Sequence, residues 1–317
     1  MDEVLHPTDY NSPAALKAFL EAHGFSMQKR FGQNFMVNPG ARLSIVKRLS
    51  PSPESLVWEV GPGLGALSHD ILRSGASLTA FEIDRGFAAC LHGLFQKEEA
   101  EGRFLLREGD VLKTWKGELD AVGLAGKSPS SVLLCGNLPY NVAATFIAQT
   151  IGAGVRFRRA VFTVQREVAD RMCAAVGSPN YSAFSVLCQW GYKVHRFLDL
   201  QPGSFWPRPN VSSAAVVLEP RLQDGVIPAG SRTLAETCSG GASSDFFVRT
   251  VHVLFSQRRK TLLNNCKALI PPGVDAAKCF AEAGVGMGER AENLSVGQFA
   301  VLSSCFRSAI LEQGGRL

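Results

Sequence analysis

Short apolar runs alternate with amphipathic segments over the first two thirds of the chain. Leu56–Val60, Ser77–Phe81, Phe104–Arg107, Val132–Cys135 and Arg159–Gln165 are mostly apolar without strict alternation, as strands buried on both faces of a parallel sheet are. Tyr192–Leu198 and Val211–Leu218 predict two further strands. Helices are expected between them. Ser12-Pro13 supplies an N-cap and a first-turn proline, Leu16, Phe19 and Leu20 form the stripe, and Gly24 is a stop. Ala41–Leu49 follows, with Leu43, Ile45, Val46 and Leu49 apolar, then Ala66–Arg73, Glu167–Val176 and Ser182–Trp190. Strand signals stop at about residue 219. Pro220–Ser244 is polar and ends in Gly240-Gly-Ala-Ser-Ser244, which reads as a linker. Asp245 is then expected to cap one long helix that carries Phe247, Val251, Leu254 and Phe255 and runs through Gln257–Asn265. Helices at Ala276–Ala283 and Ser295–Phe306 follow. The pattern predicts an α/β open sheet with helices on both faces over residues 1–219, including a helical extension at 12–49. A linker at 220–244 and a small all-helical domain at 245–317 complete the chain.

Composition adds size and charge. The 317 residues, 46% of them hydrophobic, suffice for one sizeable core and a smaller second one. A net charge of +5 says little by itself, but its distribution says more. No acid occurs between Glu21 and Glu54, between Asp120 and Glu167, or from Phe246 to Val274, while Lys and Arg recur in all three blocks. Such blocks suit a polyanionic partner, although ordinary solvated helix faces would look similar. Eight cysteines are scattered without Cys-x-x-Cys spacing or a metal-spaced histidine, so no metal site is expected and reduced thiols fit best. Residues 1–11 read as a mobile leader with no signal-peptide pattern, and no run is long and apolar enough to span a membrane. A cytoplasmic monomer is expected.

Candidate chemistry gathers at strand ends. Leu56–Val60 runs into Gly61-Pro-Gly-Leu-Gly65 and then a helix, the arrangement by which backbone and a helix N-terminus approach a nucleotide. No Lys-Ser/Thr follows the glycines, which disfavours a triphosphate loop. The second strand ends in Glu82, placed to take ribose hydroxyls, and the third leads to Asp110. The fourth delivers Asn137-Leu-Pro-Tyr140. Asn137 and Leu138 offer carbonyl acceptors, Pro139 fixes φ and removes a donor, and Tyr140 offers a stacking face; alone, the tetrapeptide could equally be a turn. The set suits a nucleoside ligand with little phosphate, such as S-adenosylmethionine. Met27–Met36 is basic and amide-bearing, with Gln33 and Asn34 able to bond a small ligand and Lys29 and Arg30 able to touch phosphate. The proline-stiffened Gln201–Asn210 loop is expected to expose Phe205 and Trp206 beside Arg208. These rings could stack a flipped base or seal the edge of the core.

Five segments together resemble the 16S ribosomal RNA adenine-N6,N6-dimethyltransferases. They are Lys29-Arg-Phe-Gly-Gln-Asn-Phe35; Glu59-Val-Gly-Pro-Gly-Leu-Gly65 with Glu82-Ile-Asp84; Gly136-Asn-Leu-Pro-Tyr-Asn141; Phe205-x-Pro-x-Pro-x-Val-x-Ser213; and Gln257-Arg-Arg-Lys-Thr-Leu-x-Asn-Asn265. The resemblance implies a Rossmann-like methyltransferase sheet and a helical domain that helps hold rRNA. It implies that Asn34, Met36, Gly61, Glu82, Asp110 and Asn137 contact S-adenosylmethionine, with Gln33, Glu59 and Gly63 beside them. Asn137, Leu138, Pro139 and Tyr140 would receive the target adenine, with Phe205 stacking on it, and Lys29, Arg30, Arg208, Arg258, Arg259 and Lys260 would meet RNA. The implied reaction dimethylates two adjacent adenosines near the 3′ end of 16S rRNA within an immature small subunit. Ser182-Ala183, where Gly-Arg is usual, and Trp206 depart from the family pattern and bear on RNA docking. Two alternatives stay open: a 23S rRNA adenine methyltransferase, which shares the nucleotide and Asn-x-Pro-Tyr motifs, and an assembly factor acting mainly by binding.

Overall fold

The computed structural model describes residues 9–24, 34–121, 131–221 and 241–314. Two compact units divide the chain. The first holds the described residues of Met1–Ala143, Phe157–Ala169 and His195–Glu219; the second holds those of Ala144–Arg156, Asp170–Val194 and Pro220–Leu317. The units are interleaved in sequence, where the sequence reading divides the chain linearly at 219 and 245.

In the first unit, helix α1 (Pro13–Ala22) starts as expected, with Ser12 Oγ accepting from the Ala15 N–H at 3.2 Å. A two-residue strand β1 (Phe35–Met36) and helix α2 (Pro39–Leu49) lead into the sheet. There follow β2 (Leu56–Val60), α3 (Ala66–Leu72), β3 (Ser77–Glu82), α4 (Arg85–Leu94), α5 (Gln96–Ala100), β4 (Phe104–Glu108) and α6 (Val111–Ala121). Next come β5 (Val132–Asn137), α7 (Tyr140–Gly152), β6 (Arg159–Gln165), α8 (Arg166–Met172) and α9 (Ala183–Gly191), of which α9, most of α7 and the end of α8 belong to the second unit. Strands β7 (Tyr192–Leu200), β8 (Phe205–Trp206) and β9 (Ser213–Pro220) complete the strand set. The seven-stranded sheet has the order β4-β3-β2-β5-β6-β9-β7, parallel from β4 to β6 with β9 antiparallel to β6. From β2 the chain winds outward through β3 and β4, then returns to β2's other side with β5. The carboxyl ends of β2 and β5 therefore flank the topological switch point, where open α/β sheets bind ligands.

One expectation about the first unit needs correction. Tyr10 is buried and Asn11 is hydrogen-bonded to Arg42, so the end of the leader is docked rather than mobile; residues 1–8 lie outside the described ones. On α2, Leu43 faces solvent, 69% exposed, whereas Arg42 is buried along the Ala41–Ile45–Leu49 face. Successive residues turn by about 100° around a helix, so with Ala41, Arg42, Ile45 and Leu49 inward Leu43 falls on the outer side, and the hydrogen bonds of Arg42 offset the cost of burying its charge.

The second unit is helical, with α10 (Gly241–Leu254), α11 (Leu262–Cys266), α12 (Ala276–Glu282) and α13 (Val296–Glu312). Helix α9 packs here, its Trp190 stacked on Phe247 with ring centroids 3.8 Å apart. The long helix expected from Asp245 through Asn265 is broken. Turns at 255–260 separate α10 from α11, and the buried Asn265 closes the gap by donating to the Leu254 and Gln257 carbonyls at 2.7 and 3.1 Å. The Leu254 carbonyl ends α10 without an intrahelical partner and takes its donor from Asn265, while the Gln257 carbonyl in the turn also accepts from the Lys260 N–H at 3.0 Å. The expectation of reduced thiols also fails at one place: Cys279 on α12 and Cys305 on α13 form a disulfide, Cα atoms 5.4 Å apart. Among the described residues, no helix is long and apolar enough to cross a membrane.

Candidate active site

The first side of the candidate site is built on the ends of β2, β3 and β4. Gly61, Gly63 and Gly65 all have positive φ, between 59° and 79°, a conformation that glycine adopts without strain. The Gly61 N–H donates to the Phe81 carbonyl at 2.9 Å, tying the loop to β3. Glu82 is buried, yet both its carboxylate oxygens are engaged: Oε2 accepts from the Gly63 N–H at 3.1 Å and Oε1 from the Asp84 N–H at 2.9 Å. Burial raises the Glu82 pKa, and these N–H bonds only partly offset it. Asp84 in turn caps α4 through the Gly86 N–H at 2.8 Å. The Gly109 N–H donates to the Glu82 carbonyl at 2.7 Å, which levels the β3 and β4 ends. Asp110, half-buried beyond β4, accepts from the Leu112 N–H at 3.0 Å.

Glu59 is almost completely enclosed. Its Oε2 accepts from Ser68 Oγ at 2.5 Å, joining β2 to α3 behind the glycine loop. Burial pushes its carboxyl up to about 7, against the lowering effect of the Ser68 bond. Ser68 carries no signal in the sequence beyond its place on α3.

The second side of the candidate site is built on the end of β5. Val60 of β2 lies opposite Gly136 of β5, and a Cβ at Gly136 would sit 2.6 Å from the Val60 carbonyl oxygen. Only glycine lets the two strands close at this point. One residue on, the half-buried Asn137 donates its Nδ2 to the Asn34 carbonyl at 3.0 Å. A backbone carbonyl only accepts, so the amide group facing it is the NH₂, and Oδ1 points the other way as an acceptor. The Leu138 N–H donates to the Thr163 carbonyl at 3.0 Å, fixing that peptide, and Pro139 opens α7 by accepting from the Ala143 N–H at 3.0 Å. Tyr140 is the first residue of α7.

Strand β1 pairs antiparallel with β8, Phe35 opposite Trp206 and Met36 opposite Phe205. The ribbon brings Asn34, Met36 and the Phe205 loop to one place from opposite ends of the unit. Phe35 lies against the glycine loop, its ring 3.1 Å from where a Gly63 Cβ would be, and stacks with Trp206 at 6.2 Å. Phe205 is 4% exposed, and Trp206 is partly buried. Phe205 is therefore not exposed as expected, and of the two readings for its ring the structure shows the one that seals the core, through pairing with β1. The Trp206–Pro207 bond is cis.

The remaining candidates divide. Lys29, Arg30 and Gln33 lie outside the described residues. Arg208 is exposed after β8. Arg258, Arg259 and Lys260 are exposed in the turns after α10, but Arg258 is tied within its unit to Glu292 at 2.8 Å and to the Pro179 carbonyl at 3.0 Å. Among the described residues, no cluster of His, Cys, Asp and Glu is arranged to hold a metal.

A family model for ribosomal RNA adenine dimethylase matches residues 24–307. Ribosomal RNA small subunit methyltransferase A of Treponema denticola is 40% identical over 302 residues, covering 94% of this chain and 96% of that protein. The protein of the same name from Treponema pallidum is 41% identical over 309 residues, covering 95% and 99%. That of Borreliella burgdorferi is 32% identical over 296 residues, covering 93% and 94%. Among solved structures, a dimethyladenosine transferase from Plasmodium falciparum aligns with a TM-score of 0.65 at 22% identity, covering 86% of this chain and 97% of that one. The 23S rRNA methyltransferase ErmE aligns at 0.56 and 19% identity, covering 86% and 100%. At such identities the two structures establish the shared fold alone. With its family match spanning nearly the whole length and its strand-end motifs in place, the chain belongs to the ribosomal RNA adenine dimethylase family.

Proposed function

We propose that this protein dimethylates N6 of two adjacent adenosines near the 3′ end of 16S rRNA, using S-adenosylmethionine, in an immature small ribosomal subunit in the cytoplasm, and that it acts as a monomer. The observation that carries the reading is the orientation of Asn137, whose Oδ1 is turned to accept at the switch point by the Nδ2 bond to Asn34. Relatives at 32–41% identity are named for the small subunit, which favours 16S over 23S rRNA as substrate.

The donor set fits the cofactor. A buried carboxylate already anchored to the glycine loop suits ribose hydroxyls, and Asp110 at the next strand end suits the exocyclic amine of an adenine. Glu82, Asp110, Gly61 and Gly63 would hold it, with Gln33, Asn34, Met36 and Asn137 on the facing side. Glu59 contributes from behind, by bracing α3 through Ser68. When bound, S-adenosylmethionine supplies an electrophilic methyl on a sulfonium.

The rest falls to the chain. The adenine N6 amine is a weak nucleophile because its lone pair is delocalised into the ring. Asn137 Oδ1 and the Leu138 carbonyl accept its two N–H bonds, turning the amine toward tetrahedral geometry and aiming its lone pair. Its acidity rises only once the new N–C bond forms, so no strong base is needed beforehand. Tyr140 stacks on the extruded base, and Phe205 joins once the β1–β8 ribbon yields its ring. Stacking returns about 1–3 kcal/mol per base against a flipping cost of a few. Positioning supplies most of the rate. Arg208, Arg259 and Lys260, with Lys29, Arg30 and Arg258, contact RNA phosphates. Tritiated methyl transfer onto undermethylated small subunits, followed by mapping, tests the reading. Label on adjacent 16S adenosines supports it; label on 23S rRNA, or none, overturns it.

A further inference from the structure

The buried Arg42 is the polar exception on the core face of α2, 5% exposed where Leu43 beside it is turned to water. Its guanidinium reaches three acceptors from three separate stretches of chain. Nε donates to Asp70 Oδ2 at 2.9 Å, one terminal NH₂ donates to the Met36 carbonyl at 3.0 Å, and the other donates to Asn11 Oδ1 at 2.7 Å. Each stretch matters for a different reason. Asp70 lies on α3, the helix that opens at the glycine loop. Met36 ends the two-residue strand β1, two positions after the carbonyl that orients Asn137. Asn11 belongs to the leader, whose Tyr10 packs its ring 5.6 Å from that of His69 on α3. Burial opposes the Asp70 charge, yet the bonds from His69 and Arg42 prevail and hold its carboxyl below the ordinary range.

A two-residue strand paired only to another two-residue strand cannot fix its own position. The planar, forked guanidinium can, because its donors are set at fixed angles and satisfy all three acceptors at once; a lysine ammonium cannot match that spread. We infer that Arg42 is a positioning residue for the methyl-transfer site: through the Met36 carbonyl and Asp70 it fixes Asn34–Met36 against the glycine-loop helix, and the leader at Asn11 completes the clamp. This rests on the proposed methyltransferase reading.

The test uses the full chain and the variants Arg42→Met, Arg42→Lys and Asn11→Ala. For each, S-adenosylmethionine binding is measured by equilibrium dialysis, KM and kcat on undermethylated small subunits, and folding by thermal unfolding. Arg42→Met is expected to raise the dissociation constant and KM for S-adenosylmethionine about tenfold, with a smaller fall in kcat at saturation. Arg42→Lys should recover only part of the loss, and Asn11→Ala should raise KM about threefold. A merely structural arginine would lower the unfolding temperature and the active fraction, hence kcat, while leaving KM unchanged; that result overturns the inference. If Arg42→Met fails to fold, Arg42→Lys and Asn11→Ala decide, and an unchanged KM in both overturns it. A native chain that binds no S-adenosylmethionine would instead sink the methyltransferase reading itself.

Discussion

The two sides of the switch point are built differently. On the cofactor side, Glu82 has both oxygens bonded to backbone N–H groups, Glu59 is bonded to Ser68, and Gly61 is tied to β3. That wall is assembled from consecutive strand ends and is complete without a ligand. On the proposed target side, Asn137 relies on a carbonyl 103 residues away in sequence, and Phe205 is buried as part of the β1–β8 ribbon. That wall depends on distant stretches of chain meeting correctly. A wall held by local backbone bonds and a wall held by long-range contacts can be broken separately, which makes the contrast testable.

The sharpest way to break this contrast is at Glu82. Glu82→Ala removes the acceptor for the Gly63 and Asp84 N–H groups and, in the proposed reading, for the cofactor's ribose hydroxyls. It should weaken S-adenosylmethionine binding by about 10²-fold or more, while RNA binding stays within about twofold. Equilibrium dialysis and filter binding would check the two numbers, and an equal loss of both would erase the distinction between the walls.

Gly136 belongs to both sides, because it is where β2 and β5 close. Its missing Cβ would lie 2.6 Å from the Val60 carbonyl. Gly136→Ala should therefore cost about 1–3 kcal/mol in denaturant unfolding and impair binding and turnover together. Selective loss of one function would show that the strands spread without disturbing the other wall.

A pH effect isolates the cofactor wall. The Glu59 carboxyl is raised to about 7 by burial, so the folded chain binds a proton that the unfolded chain has released. Its contribution therefore destabilises the fold as pH rises from the ordinary carboxylate range to about 7, and the loss levels off above that. Glu59→Gln should remove this slope and add about 1–3 kcal/mol of stability at pH 8. Unfolding curves at pH 5, 6, 7 and 8, with the variant's stability tracking the native chain at every pH, would contradict the assignment.

The smallest effect is expected at Phe205. Phe205→Leu keeps an apolar side chain in the core and should cost less than about 1.5 kcal/mol in stability. It should nevertheless slow turnover by about 3- to 10-fold through lost stacking, a change of about 1 kcal/mol. Unaltered turnover would leave Phe205 as a core residue alone.

How much of this could be read from the sequence follows the same division. The glycine loop, Glu82, Asp110 and Asn137 were each visible at the end of a short apolar run, because strands and glycine turns are local patterns. That β5 lies beside β2 is a matter of topology, and it puts Asn137 next to the glycines. The buried state of Phe205 was not legible, since the β1–β8 pairing joins residues 35 and 206 with two-residue strands that leave no periodicity. Arg42 was hidden for another reason: hydropathy ranks Leu43 as the core residue, and only the three distant acceptors reverse that ranking. Asn265 breaks a helix that propensity alone would continue, through bonds that no spacing announces. The Cys279–Cys305 pair spans 26 residues across two packed helices and matches no motif.

The most direct test of the central claim is single-turnover methyl transfer by Asn137→Ala on undermethylated small subunits at saturating S-adenosylmethionine. Removing the oriented Oδ1 acceptor should slow transfer by about 10²–10³-fold in a chain that unfolds at the native temperature. Dimethylation at the native rate by that variant would contradict the account.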